Sequence, residues 1–230
     1  MSLTGKPKRI TLFCGHYGSG KSTVSLAYAA YLRRAFPQDG AALADLDIVN
    51  PYFRSADCRQ VTDALGVKLI VSDYAMTNVD LPAMPDEAYS ITGDRSVRAV
   101  IDVGGDDRGA LALGRFVPAI LEENDFAMLA VVNKYRPLTR TPGDTVAVLR
   151  EIEGACGMRF SGIVNCSNLG RDTTAETLLS SVPYAAAVSA EMDIPVCFSA
   201  ALPAVAKELP PDMPVLELDY FISHGGIINA

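Results

Sequence analysis

No apolar run in the chain approaches the 20 or so residues that a bilayer-spanning helix needs. Positive charge is also short: 20 Lys and Arg stand against 27 Asp and Glu, a net charge of −7. A sequence-independent nucleic-acid binder needs a basic face, so that class is not expected. The five cysteines (Cys14, Cys58, Cys156, Cys166 and Cys197) are scattered without a C-x-x-C pair, which argues against a cysteine-only metal site. The opening stretch does not read as a secretory signal, so the expected compartment is the cytoplasm and the expected thiol state is reduced. Internal repeats, low-complexity tracts and linkers are missing too. One domain over residues 1–230 is therefore expected.

What is present is alternation. With 49% hydrophobic residues, the chain has enough apolar side chains for a sheet buried on both faces. Short apolar runs alternate with longer helical stretches, the pattern of βαβ units. The fold class expected is α/β, a doubly wound, mostly parallel sheet flanked by helices. Strands are predicted at Arg9–Cys14, Ala41–Ala44, Val67–Val71, Arg98–Val103, Phe126–Val132 and Gly162–Val164, with Pro195–Phe198 as the last core strand. Helices are predicted after residue 20, from Arg54 to near Gly66, from about Arg108 to Glu122, after Pro142 and after Asp172. The stretch Asp73–Asp94 carries Pro82 and Pro85 and little periodicity. It reads as a long excursion holding one short helix near Pro85–Thr92, able to shape a substrate or partner surface.

The run Gly15-His16-Tyr17-Gly18-Ser19-Gly20-Lys21-Ser22-Thr23 matches G-x-x-x-x-G-K-[ST], the phosphate-binding P-loop. An apolar strand precedes it. The helix after it has Val24, Ala27, Tyr28, Tyr31, Leu32 and Ala35 recurring on one face. Glycines let backbone N–H groups wrap an anion, and the helix N-terminus adds its positive dipole end. In this motif Lys21 reaches the β- and γ-phosphates and the Ser22 hydroxyl ligates Mg²⁺. A nucleoside triphosphate is the implied ligand. Downstream, Ala99-Val100-Ile101-Asp102 is an apolar strand ending in a carboxylate, suited to holding Mg²⁺ through water. Asp102-Val103-Gly104-Gly105 also fits D-x-x-G, where the Gly105 N–H can approach the γ-phosphate. Asp106 suits a helix N-cap.

A third signal is Asp45-Leu46-Asp47, which leaves the second strand. With the P-loop, the Asp102 strand and an Asn-ending strand in the same order, the chain resembles the MinD/ParA-type P-loop ATPases, relatives of the nitrogenase iron protein. The resemblance implies that Asp47 positions the attacking water and that Asp45 supports the Mg²⁺ shell; a turn-capping role fits either aspartate as well. It also implies a homodimer in which a lysine after the first loop glycine reaches the partner's phosphates. His16 stands at that position, and a histidine with an ordinary pKa near 6.5 is mostly neutral at pH 7. The dimer mechanism loses its key residue.

For the base, Asn133-Lys134-Tyr135-Arg136 has the shape of the N-K-x-D of GTPases but puts Arg136 where guanine needs a carboxylate. Asn165, ending the strand after it, resembles the family's adenine-pairing asparagine, although a turn role also fits. ATP with Mg²⁺ is the expected pairing. Arg54, in the run Asn50-Pro51-Tyr52-Phe53-Arg54, fits a γ-phosphate sensor or partner contact as well as a surface position at a helix start. The C-terminal residues Leu216–Phe221 lack the basic amphipathic helix that anchors MinD, so no membrane contact is expected. The leading expectation is an ATP-hydrolysing switch read by a protein partner or cargo. A small-molecule kinase or ligase, or a nucleotide sensor with negligible turnover, are the alternatives.

Overall fold

Residues 3, 6–46, 56–71, 90–104, 113–223 and 226–229 are described by the structure, a computed structural model. Eight parallel strands form one sheet: β1 (Ile10–Cys14), β2 (Gly40–Leu46), β3 (Lys68–Val71), β4 (Val97–Val103), β5 (Phe126–Val132), β6 (Gly162–Asn165), β7 (Val196–Ala201) and β8 (Val215–Glu217). Their order is β3-β2-β4-β1-β5-β6-β7-β8. Successive side chains on a strand point to opposite faces, so one strand feeds two cores. Ile10, Leu12 and Cys14 of β1 enter one core with Ala42, Ala44, Ile101 and Met128. Phe13 enters the other with Leu43, Val100, Leu129 and Val131. A sheet buried on both faces, as expected for the doubly wound class, explains why these strands read as continuous apolar runs.

Helices α1 (Lys21–Ala35) and α2 (Ala56–Ala64) cover the Phe13 face through Val24, Leu26, Tyr28, Leu32 and Cys58. After the short α3 (Ser90–Gly93), helices α4 (Val117–Glu123), α5 (Pro142–Cys156), α6 (Ala175–Leu179) and α7 (Val182–Met192) follow. Ile120, Val146, Leu149, Tyr184 and Val188 from α4, α5 and α7 cover the Ile10 face. A last short helix, α8 (Pro203–Ala206), precedes β8, and an antiparallel pair, β9 (Tyr220–Ser223) with β10 (Gly226–Asn229), ends the described chain.

Three elements differ from the sequence expectation. The helix expected over 108–122 turns at Arg115–Phe116 and restarts as α4, because Pro118 has no N–H to offer the carbonyl of Gly114 and its ring would clash there. The helix expected after Asp172 is divided at Ser180–Ser181 into α6 and α7, with Pro183 in the first turn of α7. Pro195–Phe198 is extended to β7 but is not the last strand: β8 pairs outside it, Ser199 opposite Val215. Three residues are too few to show a hydrophobic period. Of the Asp73–Asp94 excursion, residues 73–89 lie outside the described part; α3 is the helix within the remainder.

At the N-terminal ends of the strands, Arg9 closes the fold. Its Nε and Nη2 donate to the Glu123 carboxylate, a pair whose side chains are each 7% exposed. Nη1 donates to the carbonyls of Asp94 (3.2 Å) and Val97 (2.7 Å), and Nη2 to that of Ile91 (2.9 Å). All five guanidinium donors are thereby used.

Candidate nucleotide site

The strand order places the site. From β1 the chain runs to β2 and β3 on one side; from β4 it returns past β1 to β5 through β8 on the other. The crevice at such a switch point lies beyond the carboxyl ends of β1 and its neighbours, where ligands bind in doubly wound sheets. The loop after β1 fills it. Gly15, Gly18 and Gly20 hold φ values of 146°, 74° and 99°, conformations that side chains resist. Space is as restrictive as torsion: a Cβ on Gly15 would stand 2.4 Å from the carbonyl oxygen of Val131, and one on Gly20 would stand 2.6 Å from Cys166 Sγ.

Helix α1 opens at Lys21 with no side-chain cap and no acidic residue in its first turn. By contrast, Thr141 caps α5 by accepting from the Asp144 N–H, and Thr174 and Thr177 form a capping box on α6. The first N–H groups of a helix need acceptors, and at α1 an anion can supply them. Lys21, 5% exposed, donates from Nζ to the His16 carbonyl at 3.2 Å, one bond for three donors. Ser19 Oγ, also buried, has no hydrogen-bond partner among the described residues. His16 keeps its ring on the loop, Nδ1 lying 3.0 Å from the Tyr17 carbonyl oxygen. Thr23 is buried beside Ser22 at the helix start.

On the β2/β4 side, Asp45 and Asp102 are opposite one another in register, and Phe13 of β1 is opposite Asp102. By strand alternation both aspartates share the face covered by α1. Asp102 is fully buried and Asp45 is 5% exposed. Ser22 Oγ donates to Asp102 Oδ2 at 2.5 Å, and Ser25 Oγ, one turn further along α1, lies 3.4 Å from Oδ1. The hydroxyl and the two carboxylates form an oxygen donor set of the kind Mg²⁺ takes, completed by waters and phosphate oxygens. Among the described residues no group of three or more His, Cys, Asp or Glu gathers as a metal site. Asp47, Arg54, Gly105 and Asp106 lie outside the described residues.

On the β5/β6 side, hydrogen bonds tie the loops together. Asn133 Oδ1 accepts from the N–H groups of Tyr135 (3.0 Å) and Asn168 (3.3 Å). Ser167 Oγ accepts from the Lys134 N–H at 3.0 Å, and Lys134 Nζ donates to the Ser180 carbonyl at 3.1 Å. Asn165 is fully buried, with Nδ2 donating to Ser181 Oγ (2.9 Å) and Oδ1 accepting from the Ser167 N–H (3.3 Å). Its amide therefore already has partners in the loop frame. Two features here are not visible in the sequence. Asn133 Nδ2 is buried without a partner among the described residues, and Arg136 Nε donates to the Gly18 carbonyl at 2.7 Å. Cys166 sits beneath the loop, its thiol pKa pushed up to about 12 by burial and partly held down by Asn168 and the Arg136 charge. The N-K-x-D spacing was the signal for Asn133; nothing local signals the Arg136 bond.

The fold is that of P-loop NTPases. Chloroplast FtsY from Physcomitrella patens superposes with a TM-score of 0.56 at 15% identity, covering 86% of this chain and 60% of that one. FlhF complexed with GTP/Mg²⁺ superposes with a TM-score of 0.51 at 12% identity, covering 86% and 67%. FtsY from Mycoplasma mycoides gives 0.50 at 15% identity, covering 85% and 61%. The chain thus spans about 60% of the length of the FtsY structures it resembles. No family model and no curated protein matches the sequence. Among the described residues no helix is long and apolar enough to cross a membrane.

Proposed function

We propose that this chain is a Mg²⁺-dependent ATP-hydrolysing switch of the MinD/ParA type, whose nucleotide state is read by a protein partner or cargo. The observation that carries the reading is the uncapped start of α1, where buried Lys21 has two donors to offer and Ser22 meets Asp102. The N–H groups of the loop from Gly15 to Thr23 hold the phosphates, and Lys21 meets the β- and γ-phosphate oxygens. Ser22, with Asp102 and Asp45 behind it, would hold a Mg²⁺ that would neutralise charge on those oxygens. Asp47 orients a water in line with the γ-phosphorus. The water's oxygen bonds to that phosphorus as the bond to the β-bridging oxygen breaks, giving ADP and inorganic phosphate. The Gly105 N–H approaches the γ-phosphate, and loss of that group releases the segments after Asp45 and Asp102.

ATP is favoured over GTP because Arg136 replaces the carboxylate that guanine's N1–H and N2–H need. The D-x-D at the carboxyl end of β2, its first aspartate in register with Asp102, favours the MinD/ParA type.

Single-turnover hydrolysis measured alongside equilibrium binding tests the reading. Asp47→Ala should keep Mg²⁺-ATP affinity within several-fold and lose about a hundredfold or more of the hydrolysis rate. Asp102→Ala should weaken the Mg²⁺ dependence of binding itself. Wild-type hydrolysis by Asp47→Ala would remove Asp47 from the role of orienting water. Binding indifferent to chelation of Mg²⁺ would remove the metal site.

A further inference from the structure

Gly15, Gly18 and Gly20 all lie against the exits of β5 and β6. Gly15 faces the Val131 carbonyl and Gly20 faces Cys166 Sγ, while a Cβ on Gly18 would stand 3.4 Å from Arg136 Nε. Glycine has wide torsional freedom, so a loop built on it keeps one shape only where its surroundings impose it. At Gly15 and Gly20 the surroundings exclude side chains. At Gly18 they bond: Arg136 Nε donates to the Gly18 carbonyl at 2.7 Å, a short hydrogen bond from a charged donor.

Arg136 is itself held in place. Its N–H donates to the Asn133 carbonyl at 3.3 Å, and its carbonyl accepts from the Thr139 N–H at 3.2 Å. Thr139 Oγ1 closes the turn by donating to the Asn133 carbonyl at 2.8 Å. The two residues before Arg136 turn away from the loop: Lys134 Nζ donates to the Ser180 carbonyl and the Tyr135 hydroxyl to that of Thr177. Within the motif, Ser19 N–H (3.1 Å) and Lys21 Nζ (3.2 Å) both donate to the His16 carbonyl. The Gly18 carbonyl is instead held from the β5–α5 connection, a fixed point of the frame.

We propose that Arg136 is a positioning residue for the phosphate loop: its Nε holds the Gly18 carbonyl, so that the loop has its anion-binding shape before the ligand arrives. A loop ordered in advance loses less freedom on binding, and the difference appears as affinity. The role rests on the nucleotide-binding reading above and concerns the phosphates, whatever base is attached to them.

The nitrogen that makes the bond sets the test. Gln Nε2 stands as many bonds from Cα as Arg Nε does, so Arg136→Gln keeps the donor and drops the charge. Lys has a methylene at that point and its ammonium one atom further on, so Arg136→Lys keeps the charge and misplaces the donor. A fluorescent ATP analogue is displaced by ATP and by pyrophosphate, a probe without a base, and melting temperatures are recorded for every variant. Arg136→Ala should weaken both ligands by the same factor, about tenfold, as for the loss of one hydrogen bond from a charged donor. Arg136→Lys should lose about as much, whereas Arg136→Gln should stay within about threefold of the wild type. A loss in Arg136→Gln as large as that in Arg136→Ala overturns the positioning role, as do full affinity in Arg136→Lys and unchanged affinities in Arg136→Ala. A loss for ATP without one for pyrophosphate overturns it too, because it puts Arg136 at the nucleoside. Each of these leaves the phosphate site standing. A wild type that binds neither ligand overturns the nucleotide reading itself.

Discussion

Arg9 and Arg136 sit at opposite ends of the same sheet and use their donors in opposite ways. Arg9, at the amino ends of the strands, gives all five donors to Glu123 and to three carbonyls. Arg136, at the carboxyl ends, gives one to Gly18. Lys21, at the start of α1, gives one to His16. A buried cation must be paired or hydrogen-bonded to be tolerated, so complete pairing marks a residue that serves the fold. The two ends of the sheet thus differ: the amino end closes on its own groups, whereas at the carboxyl end Lys21 keeps two donors without a partner among the described residues.

The largest expected effect breaks the closed end. Arg9→Ala leaves the Glu123 carboxylate buried without its cation and should cost about 3–5 kcal/mol in urea unfolding. Nucleotide affinity of the folded fraction should stay within about twofold, since the site is distant. A loss of stability under about 1 kcal/mol would show that saturation does not distinguish structural from ligand-seeking cations.

Lys21→Ala should do the reverse. Triphosphate affinity should fall about a hundredfold, equivalent to about 2.7 kcal/mol, while stability changes little or rises. Titration with a fluorescent ATP analogue together with thermal melting reads both; near-wild-type affinity would end the phosphate-site assignment.

The loop itself offers a sharper contrast. Gly15→Ala and Gly20→Ala both force a side chain into positive φ, a strain of about 1–3 kcal/mol each. At Gly15 the obstacle is the backbone carbonyl of Val131, whereas at Gly20 it is the Cys166 side chain. Adding Cys166→Ala should therefore recover part of the loss in melting temperature for Gly20→Ala and none for Gly15→Ala. Equal recovery in both would place the obstacle elsewhere.

The smallest effect concerns helix starts. Thr141→Ala removes the cap of α5 and should cost about 1 kcal/mol without touching nucleotide affinity. A change in affinity would mean that α5 takes part in the site.

Much of the frame was legible because its causes are local. The strand Phe126–Val132 was read to its ends, since seven apolar residues between polar neighbours leave little choice. The breaks before α4 and within α6–α7 were written in Pro118 and Pro183, and a stricter reading of proline would have found them. Strand β8 was not legible: it is a strand because β7 offers an edge, which no short window of sequence records. The site divides in the same way. Ser22 and Asp102, picked out as separate motifs, meet at 2.5 Å, whereas Asn165 turned out to be held by Ser181, a residue of the α6–α7 junction that carried no signal.

By itself the sequence determined the phosphate loop, the doubly wound class and the carboxylates at the ends of β2 and β4. Those follow from glycine torsions, apolar periodicity and strand-end position, all properties of neighbouring residues. Only the tertiary structure decided which side chains would be left with donors to offer. Hydrogen-bond saturation depends on partners brought from far along the chain: Arg9 from Glu123, 114 residues away, and Arg136 from Gly18, 118 residues away.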